Sequence, residues 1–294
     1  MDLKQIRYFV EVVEQGSISM AARKLGLTQP PVSKQMQLLE RELGCALFLR
    51  SSQPLELTAE GKLLYERGVN LLAMAAGMVQ AVADCRDTQG GTLRLGLVSS
   101  VSQLAVERWV APFHRSHPGV SFELYEANTY LLLDQLRSRQ FDLALVRTPF
   151  ASRGVACHVL PPRPMLALWR PERFAFRSGE PVSLEELAEV PLILYRRWED
   201  LVTEAFDRRG LRPQVLARSD SAGTCLALAR TGLGVAISPD SMEQPALAAG
   251  LGTCPIGDPS LRSGIALARS ESGCDTAAGQ AFWDFFCHME AVRP

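Results

Sequence analysis

The sequence predicts an α/β protein in which a short helical segment precedes a longer stretch of alternating strands and helices. Helical periodicity dominates residues 1–58, one long helix is predicted for residues 59–88, and from residue 89 apolar runs of strand length alternate with helical patterns. Alternation of this kind is typical of a parallel sheet with helices on its faces. We therefore expect domain bounds at 1–58, 59–88 and 89–294, and the chain of 294 residues is long enough for two or three hydrophobic cores.

Two short helices joined by a tight turn are predicted between residues 17 and 43. Ser17 is placed to cap the first helix, Gly26 to end it, and Thr28 to cap the second, whose first turn tolerates Pro30 and Pro31. Spacings of four, three and four residues put one apolar set on a buried face of the second helix: Val32, Met36, Leu39 and Leu43. The opposite face carries Gln29, Pro30, Ser33, Lys34, Gln37 and Arg41. Such a face is typical of a recognition helix in the DNA major groove.

The neighbouring elements decide between this interpretation and an ordinary helical pair in an all-α domain, which the pattern alone fits equally well. An earlier amphipathic helix is predicted from Leu3, Ile6, Phe9, Val10 and Val13, ending near Gly16. The run FLRSSQPLELT, residues 48–58, has a turn-forming centre between extended apolar flanks and predicts a short hairpin. Three helices followed by a hairpin make a winged helix-turn-helix.

The run AARKLGLTQPPVSKQMQLLERELGCALFLR, followed by LTAEG, resembles the N-terminal signature of the LysR-type transcriptional regulators over about 60 positions. The resemblance implies DNA contacts from Gln29, Pro30, Pro31, Ser33, Lys34, Gln37, Arg50 and Gln53. One departure concerns the wing, because the family usually has a second basic residue where this chain has Gln53. Arg50 would then contact the minor groove alone or would touch only phosphate.

A long helix after Thr58 is predicted to reach about Asp87. Its apolar and small residues recur at alternating spacings of three and four: Gly61, Leu64, Gly68, Leu71, Ala75, Met78, Val82 and Cys85. That pattern predicts a coiled-coil seam, whose small early positions would let a partner helix approach closely. The alternative, a helix packed on its own domain, is weaker because a helix of this length, about 45 Å, would outreach a compact core. We interpret it as the linker and dimerisation helix.

Two sheets are predicted after the Gln89-Gly90-Gly91 hinge. Strands near residues 92–98, 120–127 and 141–147 begin the first sheet, and strands in RPMLALWR, VPLILYRR, QVLARSD and GVAIS form the second. SGIALAR then returns to the first sheet, and a last helix with Phe282, Phe285, Phe286 and Met289 packs on it. Subdomain I would span about 91–161 and 268–294, and subdomain II about 162–267. Two crossing segments, near Pro161 and near Ala268, would link the sheets and make a hinged cleft. The resemblance implies a similar, periplasmic-binding-protein-like arrangement.

Ligands in such sheets lie beyond the carboxyl ends of strands, near helix N-termini. The polar residues at those places are Ser99, Ser100, Thr129, Arg147, Arg196 and Asp220. Together they could hold a small carboxylate, with a guanidinium to fix its orientation. Singly, Ser100, Thr129 and Asp220 fit helix caps or turns, and Arg147 could pair with Asp142 or another surface acid.

The family resemblance extends to this site. LILYRR and the arginine that ends FDLALVR resemble the branch that responds to aromatic or short organic acids. In relatives, the positions matching Ser99, Thr129 and Arg147 line the effector pocket. We interpret Tyr195 and Trp198 as core or rim residues.

Composition and motifs argue against several other classes. The net charge of the whole chain is −1, and the surplus of basic residues is confined to the helix-turn-helix. The N-terminus predicts no signal peptide. Seven scattered cysteines show no CxxC, and four histidines show no metal-binding spacing, so no metal or cofactor is expected. A thiol redox switch is less favoured than reduced cysteines. Gly232-Leu233-Gly234 precedes a strand and therefore cannot be a dinucleotide fingerprint.

The sequence thus predicts a cytoplasmic, non-enzymatic transcriptional regulator that needs dimerisation to gain DNA affinity. Its expected partners are double-stranded promoter DNA and a small organic acid effector, with no membrane. The resemblance further implies a homodimer that assembles to a homotetramer and contacts with RNA polymerase. The alternative is a cytoplasmic small-solute-binding protein whose N-terminal helices only oligomerise, but it leaves the polar face of the second helix without a role.

Overall fold

The computed structural model describes residues 1–49, 55–84 and 90–291, and for residue 73 and residues 76–84 it describes the backbone alone. The chain divides into two compact units. The first unit holds the N-terminal helices and a short hairpin, and the second holds two five-stranded sheets. This is the α/β class that the sequence predicts.

The first unit is built on four helices. They are α1 (Leu3–Gln15), α2 (Ile18–Lys24), α3 (Gln29–Leu43) and α4 (Ala59–Asp84). Gly26 follows α2 with φ +68°, a left-handed conformation that glycine adopts without strain. Ser17 and Thr28 occupy the N-cap positions as predicted, but within the described residues neither side chain makes a capping hydrogen bond. Residues of α1, α2 and α3 share one apolar core.

The buried face of α3 contains Val32, Met36 and Leu39, whereas Leu43 is exposed. The expected burial of Leu43 is therefore wrong. The helix ends at this residue, and Gly44 turns the chain away with φ +70° before Leu47 re-enters the core.

The hairpin is present at its described ends. Phe48 and Leu57 form an antiparallel bridge, and the Leu49 amide donates to the Glu56 carbonyl at 2.9 Å. Thr58 then caps the N-terminus of α4, because its hydroxyl accepts from the Gly61 amide at 3.0 Å.

The first half of α4 packs on its own domain. A Cβ at Gly61 would lie 2.2 Å from the Leu47 carbonyl oxygen, and a Cβ at Gly68 would lie 3.0 Å from the Ile6 side chain. Leu64 packs against the same core. Gly61 therefore admits the chain that follows α3, and Gly68 admits α1, so assigning these two positions to a partner helix is wrong. The seam position Cys85 lies outside the described residues.

The first sheet of the second unit has the order β2 (Val120–Glu126), β1 (Gly91–Leu97), β3 (Leu143–Arg147), β12 (Ile265–Ser270) and β4 (Val155–Val159). Strands β2, β1 and β3 run parallel, as expected, while β12 is antiparallel to both of its neighbours. Its flanking helices are α5 (Ser102–Ala105), α6 (Ala111–Ser116), α7 (Thr129–Arg137) and α12 (Ala277–Ala291), with a π-helical turn at Val106–Val110 between α5 and α6. Phe282 and Phe286 of α12 are buried in this core, as predicted.

The second sheet has the order β10 (Gly252–Pro255), β6 (Leu166–Trp169), β9 (Val235–Ser238), β7 (Pro191–Tyr195) and β8 (Gln214–Ser219). Strand β7 is parallel to β8 and β9, and β6 is antiparallel to β9 and β10. Its helices are α8 (Leu184–Ala188), α9 (Glu199–Asp207), α10 (Ala222–Arg230) and α11 (Glu243–Ala248), with 3-10 turns at Arg196–Trp198 and Asp240–Met242.

Two crossing segments join the sheets, and they pair with each other through β5 (Arg163–Pro164) and β11 (Arg262–Ser263). The first lies near Pro161, as expected. The second precedes β12, earlier than the position near Ala268, because Ala268 already pairs with Ala144 and Cys157 inside the first sheet.

Candidate functional sites

The polar face of α3 is accessible. Gln29, Pro30, Pro31, Lys34 and Gln37 are exposed, and Ser33 is half-buried. The opposite face is held in the core by Val32, Met36 and Leu39, so the orientation of the helix is fixed by packing. The predicted contacts Arg50 and Gln53 lie outside the described residues.

Contacts next to α3 set which charges are available. The Ser19 hydroxyl donates to Gln29 Oε1 at 3.0 Å and ties the two helices of the motif together. Lys24 Nζ lies 2.9 Å from Glu11 Oε1, and the hydrogen bond to Glu11 raises the pKa of Lys24. Lys24 is therefore directed at α1, whereas Lys34 forms no ion pair among the described residues. Lys34 is the better placed of the two to meet a phosphate.

A cavity of about 460 Å³ lies between the two sheets of the second unit. It brings together three of the predicted effector residues, Ser99, Arg196 and Asp220. Its remaining lining comes from Glu126, Ala127, Asn128, Tyr130, Tyr195, Arg197, Asp200 and Ser221. Most of the lining residues carry polar or charged side chains, and the cavity lies beyond the carboxyl ends of β1, β2, β7 and β8. This is the place at which ligands bind in α/β sheets.

Hydrogen bonds cross the cavity from one subdomain to the other. The Ala222 amide, at the N-terminus of α10, donates to Ser99 Oγ at 3.2 Å. Arg197 donates to Tyr130 Oη at 3.2 Å and to the carbonyl oxygen of Arg147 at 3.0 Å, with its guanidinium 5.2 Å from the Tyr130 ring centre. The two walls are therefore in direct contact.

Arg147 contributes its carbonyl oxygen to the contact with Arg197, but it is not among the residues that line this cavity. It lines a different cavity of about 440 Å³ together with Arg108, Arg163, Asp240 and other residues. Its side chain is 2% exposed, and Nη1 donates to Asp240 Oδ1 at 2.9 Å. Burial lowers the pKa of Arg147, and the Asp240 carboxylate opposes that shift. Since Arg147 ends β3 and Asp240 follows β9, the pair connects the two subdomains.

Ser241 extends this connection. Its hydroxyl accepts from Arg147 Nη2 and donates to the carbonyl oxygen of Ser100. The alternative pairing of Arg147 with Asp142 does not occur. Asp142 instead accepts from the Arg94 amide at 2.8 Å and from the Thr276 hydroxyl at 2.9 Å, and burial raises its pKa.

Ser100 and Thr129 line neither of the two cavities, and both are buried. Their hydroxyl oxygens have no hydrogen-bond partner among the described residues. A buried hydroxyl without a partner carries a desolvation cost. Neither side chain therefore acts as a helix cap here, which was the simpler interpretation of each.

Asp220 and Arg196 form an exposed ion pair at the cavity, with Nε and Oδ1 2.9 Å apart. Two functional residues were not among those predicted: the neighbouring Arg197, which makes the contacts between the walls, and Asp240, the partner of Arg147. Arg197 had a signal, because it follows Arg196 in the same LILYRR run. Asp240 had none, since it lies 93 residues from Arg147.

Neither membrane nor metal features are found in the part of the chain that the structure describes. No described helix is long and apolar enough to span a bilayer. No group of three potential metal ligands occurs among the described His, Cys, Asp and Glu residues. Burial raises the pKa of Cys225, Cys254 and Cys274 to about 11.

A helix-turn-helix unit joined to a two-sheet unit with a polar cleft is the architecture of a ligand-responsive transcriptional regulator. Residues 3–62 match the model described as bacterial regulatory helix-turn-helix protein, lysR family, and residues 86–289 match the LysR substrate binding domain. The chain therefore belongs to the LysR family of transcriptional regulators. Members of this family bind promoter DNA and small-molecule effectors.

Individual relatives agree with this assignment. The chain is 30% identical over 280 residues to the transcriptional regulator IlvR of Caulobacter vibrioides, covering 92% of this chain and 94% of the relative. It is 30% identical over 248 residues to the regulator BsdA of Bacillus subtilis, covering 82% and 85%. Its fold is similar to that of full-length CbnR in complex with target DNA, with a TM-score of 0.76 and 21% identity over 98% of this chain and 100% of that one. These relatives are regulators and not enzymes, as the sequence predicts.

Proposed function

We propose that this regulator binds an interrupted dyad in promoter DNA as a homodimer that assembles to a homotetramer, and that a small organic acid in the cleft of the second unit changes the DNA complex. The observation that carries the proposal is the division of α3 into a buried apolar face and an accessible polar face. An exposed, rigidly held polar helix face is what major-groove recognition requires.

On the DNA side, we assign base and phosphate contacts to Gln29, Pro30, Pro31, Ser33, Lys34 and Gln37, and wing contacts to Arg50 and Gln53. Lys34 supplies charge for a phosphate, while Gln37 presents an amide suited to a base edge. Each subunit then has few phosphate contacts, so two subunits are needed for useful affinity. A regulator of this kind works where promoter DNA is, in the cytoplasm, and its bound form would contact RNA polymerase.

The dimer is proposed to form through the distal part of α4. The side of this helix that carries Val69 and Leu72 packs on its own domain, but Leu71 and Met74 are 40% and 42% exposed. Exposed apolar side chains on a long helix favour pairing with a second copy. Residues 59–88 therefore keep the linker role in this proposal, between DNA-binding residues 1–58 and effector-binding residues 89–294.

On the effector side, a cavity of about 460 Å³ suits a small molecule. We propose that Ser99 and the N-terminus of α10 bind the effector's carboxylate, because backbone amides and positive partial charge meet there. Arg196 and Asp220 form the rim. Ser100 and Thr129 would gain partners for their buried hydroxyls if the subdomains shift on binding. The branch that senses aromatic or short organic acids fits this chemistry.

Arg147 is proposed to transmit the response. Its guanidinium joins β3 to Asp240 and Ser241 across the two subdomains, so its contacts change whenever the subdomains rotate. An effector that prefers one degree of closure shifts the population toward that state, and the DNA-binding heads follow.

The proposal is tested by binding of the purified protein to the DNA upstream of its own gene, using mobility shift and footprinting with and without a panel of small carboxylic acids. A protected dyad whose footprint changes with one acid supports both parts. Absence of sequence-specific protection at moderate salt refutes the DNA assignment and leaves the solute-binding alternative.

Two variants separate the sites. Arg147→Ala is expected to remove the effector response while DNA binding persists, and a main defect in DNA affinity contradicts the assignment. Ser33→Ala is expected to weaken operator binding without changing effector affinity. Equal defects in both properties indicate misfolding.

A further inference from the structure

Two carboxylates in the cleft lack partners. Glu126 and Asp200 both line the cavity of about 460 Å³. Neither side chain makes a hydrogen bond or an ion pair with any residue that the structure describes. A site built only to receive an organic anion gains nothing from two such charges, since like charges repel the ligand.

The arginines of the cavity are already engaged. Arg196 pairs with Asp220 at 2.9 Å. Arg197 donates to the carbonyl oxygens of Arg147 and Pro149 and lies between the rings of Tyr130 and Trp198, at 5.2 and 5.1 Å from their centres. With one arginine paired and the other bound to carbonyl oxygens, Glu126 and Asp200 are left for a ligand.

The two carboxylates come from opposite walls. Glu126 is the last residue of β2 and pairs with Leu97 of β1. Leu97 in turn precedes Ser99 by two residues. Asp200 lies in the first turn of α9, which follows β7 of the other sheet. When the cleft closes, Glu126 and Asp200 place two negative charges at the same cavity. A cation bound there offsets their repulsion and therefore favours the closed state.

Hydrogen-bond donors occur in the same cavity. Tyr195 lines it and is 5% exposed, and its hydroxyl makes no hydrogen bond within the described part of the chain. Ser99, which follows β1, accepts from the Ala222 amide at the N-terminus of α10, and its hydroxyl can still donate its own proton. The cavity thus offers donors for a carboxylate and acceptors for an ammonium group.

We propose that the effector is an amino acid, which carries an ammonium group as well as a carboxylate. The carboxylate binds at Tyr195 and Ser99, and the ammonium group lies between Glu126 and Asp200. This inference rests on the proposed function and narrows the organic acid of that proposal to a zwitterion.

The test compares matched pairs of probes on the full-length protein. Each standard amino acid is compared with the carboxylic acid that lacks only its amino group, such as leucine with 4-methylpentanoate, at millimolar concentration. Thermal shift selects the pairs and isothermal titration calorimetry measures the affinities. At least one amino acid is expected to bind about tenfold or more tightly than its deaminated partner. A deaminated acid that binds as tightly as its partner, or a complete lack of amino-acid binding, overturns the inference.

Variants then locate the ammonium site. Glu126→Gln and Asp200→Asn are each expected to lower the ratio of the two affinities about fivefold while the deaminated acid keeps its affinity. Glu204→Gln is the matched control, because it removes the same charge one turn further along α9, outside the cavity lining. An unchanged ratio in both cavity variants also overturns the inference. Operator footprinting without any ligand is a separate readout, so failure of the DNA proposal is recognised independently.

Discussion

Removing the carboxylate of Asp240 is the sharpest test of the connection between the subdomains. Asp240→Ala leaves the guanidinium of Arg147, 2% exposed, without its counter-ion. An unpaired buried charge of this kind costs about 3 kcal/mol of unfolding free energy. For a unit of this size that corresponds to a fall in Tm of about 6–12 °C. Thermal unfolding followed by circular dichroism measures the change.

Arg163 provides the matched control. It lies 3.9 Å from the other oxygen of Asp240 but its side chain is 74% exposed, so Arg163→Ala should cost less than about 1 kcal/mol. The double variant Arg147→Met with Asp240→Ala should recover part of the loss, because the buried charge is then gone. A loss of unfolding free energy in Asp240→Ala no larger than that in Arg163→Ala would show that the Arg147–Asp240 pair is not desolvated.

Three further predictions concern Lys34, Gly61 and two buried cysteines. Lys34→Ala should weaken binding to operator and unrelated DNA alike. It should also reduce the slope of log binding constant against log salt concentration by about 1, measured by titration at several salt concentrations. A loss of affinity confined to the operator would contradict a phosphate contact. Gly61→Ala should destabilise the N-terminal unit by about 1–3 kcal/mol in urea unfolding, because its Cβ would overlap the Leu47 carbonyl; unchanged stability would count against that packing. Cys225 and Cys254 should not react with iodoacetamide at pH 8 until the protein unfolds, because their pKa of about 11 leaves little thiolate. Mass spectrometry measures the labelling, and rapid labelling of either residue would show that it is accessible.

Much of the fold could be predicted because several strands are rich in leucine, isoleucine or valine. Strands β1, β3 and β7 have this composition, and they occur where the sequence predicts them. Strand β10, GTCP, was missed because it is short and contains glycine and proline, which weaken any strand pattern. The glycines of α4 show another limit, since small residues signal close approach but not which neighbour approaches.

The site could be predicted only where its residues follow strands directly. Ser99 and Arg196 do so, and they meet at one cavity. Arg147 also ends a strand, but its partners are fixed by the closure of the two sheets on each other. Spacing along the chain carries no record of such a contact, so the separation of Arg147 from Ser99 could not be read from the sequence.

The position of β12 has a consequence for how the protein is made. Subdomain II, from β6 to β10, is an insertion into the chain of subdomain I, whose sheet is completed only when β12 enters between β3 and β4. The ribosome therefore releases the whole inserted subdomain before the strand that finishes the first sheet, and Phe282 and Phe286 of its core come later still. Strands β1 to β4 are synthesised first, but their sheet cannot be completed until β12 has been synthesised. A nascent chain stopped after β10 would carry a finished second core beside an open first one.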